Sequence, residues 1–114
     1  MSQHINLVAE QLLWLERELR VAGLWSEQAP DADALMSSEP FCVDRLDLEQ
    51  WLQWVFLPRM IALVQSGQPL PAKSAIAPMA LERFKDKLDK MQPLVKRLQA
   101  LDHLLTEGHL PLPQ

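Results

Sequence analysis

The sequence predicts an all-α fold: a single-domain bundle of four main helices, with a proline-kinked central helix and one short extra helix. Three observations carry this. Apolar residues recur at spacings of three and four along most of the 114-residue chain, the period of a helix buried on one side. All three glycines fall where those stripes end, and a left-handed residue is the usual stop for a helix. No segment alternates apolar and polar residues in the two-residue period of a strand. A chain of this length holds one core and is too short for two. Residues 1–107 read as the bundle and 108–114 as an extended C-terminal tail.

Ser2 is a good N-cap for the first helix. Ile5, Val8, Leu12, Leu15, Leu19 and Ala22 then share one face, and Gly23 stops the helix, which spans about Gln3 to Ala22. A second apolar row, Leu7, Trp14 and Val21, recurs every seven residues roughly opposite the first. Either the Trp25 loop or a neighbouring helix covers it, or it pairs two copies as an isologous homodimer surface. Residues 25–43 carry Pro30, Pro40 and several acids and read as a connector. Asp31 or Asp33 can cap a short helix there, through Ala34, Leu35 and Met36, before Pro40 ends it.

Asp47 followed by Gln50 has the spacing of a capping box, with Glu49 near the positive end of the helix it opens. That helix spans about Leu48 to Gln65, with Leu48, Trp51, Leu52, Val55 and Phe56 on its inner side. After Gln53 the polar face disappears, because Trp54, Leu57, Met60, Ile61 and Val64 fill the other directions. A helix apolar all round must be surrounded, so this is the central element. Pro58 has no amide to bond back to Trp54 and should kink it. Gly67 ends it, and Pro69 and Pro71 mark an extended connector that restarts as helix at Pro78, a favoured first-turn position. Ala77, Leu81, Phe84, Leu88 and Met91 form the next stripe. Pro93 should interrupt it, and Leu94, Leu98, Leu101 and Leu105 form the last, with Lys96, Gln99 and His103 facing out and Gly108 as terminator.

The net charge of −4 is unevenly spread. Residues 1–57 carry ten acids against three bases, and residues 58–114 five acids against eight. An acidic half docking on a basic half explains this without nucleic acid, which the chain as a whole would repel. No signal-peptide pattern is visible, and the apolar run from Trp51 to Val64 is too short and interrupted to span a bilayer. One cysteine excludes an internal disulfide and fits a reducing compartment, so the expected location is cytoplasmic.

Little in the sequence supports catalysis. Three glycines could not furnish a phosphate-cradling loop and also end the helices. His4, His103 and His109 stand in no metal-ligand spacing with an acid or with Cys42. Cys42, between Phe41 and Val43, reads as an inert core thiol. No catalytic residue, metal or cofactor is expected. Arg59 is the most informative residue, being the only charge between Trp51 and Val64 and sharing a helical face with Leu48, Leu52 and Val55. Buried, it would need a partner such as Asp44, Asp47 or a carbonyl freed by Pro58. At a rim, it would anchor a phosphate or carboxylate beside Trp51 and Trp54. The basic run offers Arg83, Lys87, Lys90, Lys96 and Arg97 as candidate RNA contacts, although Asp86 and Asp89 are interleaved as in helix-face ion pairs.

Pro40-Phe41, Asp44, Trp51-Leu52-Gln53-Trp54-Val55, Leu57-Pro58-Arg59-Met60, Gln68-Pro69-Leu70-Pro71 and Ile76-Ala77-Pro78 together resemble the YqcC-like family of small bacterial helical proteins. The resemblance runs from the first helix through about Leu105. It implies a helical bundle and, because the gene often lies beside that of tRNA pseudouridine synthase C, a link to tRNA modification. It implies no catalytic residue.

The leading expectation is therefore a non-catalytic binding or accessory protein whose partner is a tRNA pseudouridine synthase. Its candidate partner surface is Trp51, Trp54, Pro58, Arg59, Pro69, Pro71 and Pro78. The alternatives are a direct tRNA-binding module using the basic 83–97 face, and a small ligand binder or enzyme with a pocket at the Pro58 kink.

Overall fold

The computed structural model describes residues 3–36 and 46–110. Ser2, the stretch holding Pro40, Cys42 and Asp44, and Pro111 to Gln114 of the expected tail lie outside the described residues. All regular structure among the described residues is helical. The order is α1 (Gln3–Val21), α2 (Ala32–Leu35), α3 (Leu48–Trp51), a π-turn (Leu52–Phe56), α4 (Leu57–Ser66), α5 (Ala77–Arg83), a 3₁₀ turn (Lys85–Lys87) and α6 (Leu88–Glu107). α3, the π-turn and α4 form one continuous rod. α1 packs along α6 and α4, and α5 along α6, around a single apolar core.

The stripes and stops account for most of this. Val8, Leu12, Leu15 and Leu19 are the buried apolar residues of α1, at the spacing that keeps them on one face. Asp47 and Gln50 form the capping box of α3, with Gln50 Oε1 accepting the Asp47 amide at 2.9 Å. At the end of α4, Gly67 takes φ 70°, and the Gln68 amide reaches back to the Leu63 carbonyl at 3.1 Å. That six-residue closure needs the left-handed residue that glycine supplies most cheaply.

The rod differs from a regular helix at one place, with large consequences. Pro58 cannot donate a hydrogen bond, and in an α-helix its ring would crowd the Trp54 carbonyl. The preceding turn is widened instead, and the Leu57 amide reaches the Leu52 carbonyl across five residues. Trp51 and Phe56 meet as a result, ring centroids 5.2 Å apart. Five residues apart on an α-helix, they would diverge by about 140°. The extra residue also rotates everything beyond it. Arg59 leaves the face of fully buried Leu52 and is exposed, so the expectation that it shares that face is corrected.

Other expectations change as well. The rod is not enclosed along its whole length: Pro58, Arg59, Ile61 and Ala62 are exposed, while Gln53, read as the last polar-face residue, is buried. Gln53 and Ser26 exchange two hydrogen bonds, Ser26 N–H to Oε1 at 2.8 Å and Nε2 to the Ser26 carbonyl at 2.6 Å. These tie the loop after α1 to the rod. The break between the last two helices falls at Phe84–Lys87, not at Pro93, which lies inside α6. The two places differ in what they bury. Residues 85–87 bury nothing, whereas α6 buries Met91, Leu94, Val95, Leu98, Leu101, Leu104 and Leu105. Finally, α5 turns Ala77, Ala80 and Phe84 inward and leaves Leu81 exposed, where Leu81 was expected to face the core.

Candidate functional site

The connector between α4 and α5 is held in place from α6. Asp102 accepts three hydrogen bonds: Ser74 Oγ and the Ile76 amide on Oδ1 at 2.5 and 3.0 Å, and the Ala77 amide on Oδ2 at 2.7 Å. Thr106 Oγ1 accepts the Ser74 amide at 3.1 Å. A carboxylate satisfying the free amides at the start of α5 also suits the helix dipole. It draws the N-terminus of α5 onto α6, where the small side chains Ala77 and Ala80 fit. No local spacing foretells this clamp, because its partners are more than twenty residues apart in sequence.

With the connector pinned, a groove of about 240 Å³ opens between it and the rod. Phe56, Met60 and Leu63 line one side, Ile76 and Leu105 the other, and Arg59 and Lys73 also border it. Phe56, Arg59, Met60 and Leu63 share one face by ordinary helical spacing, and the π-turn sets that face apart from the one that Leu52 occupies. Among the described residues no acid lines the groove, and neither Arg59 nor Lys73 makes an ion pair or hydrogen bond with them. Asp47, an expected partner for Arg59, instead faces Arg83 at 3.5 Å.

Of the candidate partner surface, the structure brings Trp51, Arg59 and Pro71 to this groove. Pro69 lines a wider, shallower depression of about 600 Å³ that shares Pro71 and Leu105 with it. Pro78 borders a third, beside Asp102 and His103. Pro58 is exposed on the first turn of α4, and Trp54 is half-buried with its indole N–H unpaired among the described residues. His103 does not face out as expected. It is half-buried, edge-on to His109 with ring centroids 4.9 Å apart.

The row Leu7, Trp14 and Val21 is not one open stripe. Leu7 packs on the core, and the Trp14 ring has the guanidinium groups of Arg17 and Arg97 beside it, each 5.1 Å from a ring centroid. Val21 alone is widely exposed. Exposed Leu13 and Ile61 instead border a small apolar cleft between α1 and α4.

The candidate RNA contacts are divided too. Arg83 grips the Glu49 carboxylate with two bonds of 3.1 and 3.0 Å. Burial would push the Glu49 carboxyl up, but the hydrogen bonds and charge of Arg83, with its backbone bond and Lys87, outweigh that and hold it below its usual value. Arg97 donates to buried Gln11 at 2.9 Å. Lys87, Lys90 and Lys96 remain exposed. Among the described residues no three His, Cys, Asp or Glu side chains gather as metal ligands, and no helix is long and apolar enough to cross a membrane.

Comparison with known proteins agrees with the resemblance seen in the sequence. A family model, DUF446, described as tRNA pseudouridine synthase C, matches residues 7–104. An uncharacterized protein of Haemophilus influenzae is 41% identical over 99 residues, covering 87% of this chain and 92% of that protein. The uncharacterized protein YqcC of Escherichia coli is 33% identical over 107 residues, covering 94% of this chain and 97% of that protein. The solution NMR structure of YqcC has a TM-score of 0.82 at 29% identity, covering 99% of this chain and 97% of that one. A protein of Pectobacterium carotovorum named tRNA pseudouridine synthase C is 47% identical over 66 residues, which span 58% of this chain but 18% of that protein. The chain belongs to the DUF446 family, which includes YqcC.

Proposed function

We propose, with membership of the DUF446 family as the premise, that this protein is a non-catalytic docking module that works with tRNA pseudouridine synthase C. The observation that carries the reading is the match to a segment inside a longer protein of that name. Two units joined in one polypeptide meet at an effective concentration in the millimolar range. Separate chains that do the same work must achieve the encounter through an interface of their own. The groove beside Arg59 offers that interface apolar walls, unpaired cations and a connector already held in place, so little ordering is lost on binding.

The reading is tested by mixing the purified protein with purified tRNA pseudouridine synthase C and measuring sedimentation velocity at about 10–50 μM, a range that detects the micromolar affinities of transient partners. A species of summed mass is expected. Independent sedimentation of the two proteins throughout that range, with and without tRNA, would overturn it.

A further inference from the structure

We propose that the groove between α4 and the proline connector binds a short segment of a partner protein in which a bulky apolar side chain stands next to a carboxylate. This rests on the reading above only for the partner's identity, the synthase, and adds the chemistry by which the partner is recognised. Size is the first reason. At about 240 Å³ the groove holds one or two side chains, less than the roughly 300–1,000 Å³ of a pocket that encloses a whole small molecule. Its walls come next: partly exposed Leu63 and the edge of Phe56 stand over a floor of Met60, Ile76 and Leu105, whose side chains are held almost fully buried, so the slot is apolar and shallow.

Charge selects the neighbour of that apolar side chain. Arg59 and Lys73 have no carboxylate partner among the described residues, as is also true of Arg17, Lys87, Lys90, Lys96 and Arg97, but these two are the cations that border the apolar slot. They stand on the two elements that flank the slot, one on α4 and one on the connector. The net charge of −4 repels an acidic segment from the molecule as a whole, so a cationic rim is where such a segment is admitted. A guanidinium can grip a carboxylate through two parallel hydrogen bonds, which fixes the direction in which the segment lies. Asp102 and Thr106 hold Ser74 to Ala77 in advance, so the slot exists before its occupant arrives.

The test has two arms. In the first, the ¹⁵N-labelled protein is titrated by NMR with a capped hexapeptide carrying Trp between two Asp residues, and with the same peptide carrying Asn for Asp. Amide shifts are expected at residues 59–63 and 72–76, with affinity at least about tenfold weaker for the Asn peptide and for the Arg59→Glu/Lys73→Glu variant. No shifts at millimolar peptide, or equal shifts with both peptides, overturn the proposal. Arg59→Met/Lys73→Met, which removes charge without reversing it, replaces the first variant if that one unfolds. The second arm repeats the sedimentation with the synthase, using Lys90→Glu/Lys96→Glu as control. Loss of the complex only in the groove variant supports the proposal. A complex indifferent to the groove variant, or lost with the control, overturns the groove as the docking site and leaves the partnership standing. Peptide binding without any synthase complex overturns the partnership and leaves the groove.

Discussion

The two ends of the central rod treat their charges in opposite ways. At its start, Asp47 and Glu49 meet Arg83 across from α5, and Gln50 and Gln53 satisfy backbone groups nearby. Beyond the π-turn, Arg59 projects from α4 with no acid among the described residues that line the groove, and Lys73 borders the same slot. The first region is closed chemistry that joins the acidic and basic parts of the chain. The second leaves Arg59 and Lys73 without a carboxylate partner among the described residues. A paired arginine and an unpaired one look alike in sequence; only the fold shows that Arg83 reaches Glu49 and that Arg59 reaches no acid among the described residues.

That contrast can be broken from its largest support downward. Asp102→Ala removes three hydrogen bonds to a carboxylate and frees the connector wall. We expect a loss of about 3 kcal/mol in urea denaturation, together with loss of the groove. A stability close to that of the native chain would show that the connector is held by something other than the clamp. Gln53→Ala strands the Ser26 amide and carbonyl and should cost about 2 kcal/mol, with no effect on peptide binding in the groove.

Glu49→Gln should cost less, about 0.5–1 kcal/mol, because Arg83 is substantially exposed and solvent screens the pair. Its pH dependence has a defined sign. The Glu49 carboxyl is held below its ordinary value of 4.5, so its contribution is complete above that value and is lost as pH falls through the lower folded value. Denaturation at pH 7 and pH 3 should show the difference between native and variant chains at the first and its decline at the second. A difference that grew on acidification would reverse the assignment. The smallest effect belongs to Arg59→Met, whose stability should stay within about 0.5 kcal/mol of the native chain, as for an exposed residue without partners. A larger loss would make Arg59 a structural stitch and undo the contrast between the two ends.

Much of this architecture is written in local patterns. Val8, Leu12, Leu15 and Leu19 bury as their spacing requires, and the Asp47–Gln50 cap and the Gly67 stop lie where the sequence puts them. The resemblance carried by Trp51 to Met60 is likewise visible without coordinates, and the family comparison agrees with it. What is hidden depends on competition or distance. Pro58 signals a disturbed turn, but only the backbone shows that the disturbance is an extra residue per turn, which sends Arg59 outward. Pro93 signals a break, yet α6 runs through it between buried Met91 and Leu94, and the chain breaks where Lys85, Asp86 and Lys87 have nothing to bury. Asp102 carries no signature at all, because a residue that caps another helix is defined by tertiary contact alone. The candidate site is therefore half legible: Trp51, Arg59, Met60 and Pro71 stand out in sequence, while Lys73 and the clamp that shapes the slot do not.

The account turns on Arg59 and Lys73 marking the face that a partner covers. Hydrogen exchange of the protein with and without tRNA pseudouridine synthase C measures this directly. Slower exchange at residues 59–66 and 72–76, with little change over 83–97, is the predicted result. Protection confined to 83–97 or to 7–21, with the groove exchanging as fast as in the free protein, would contradict it.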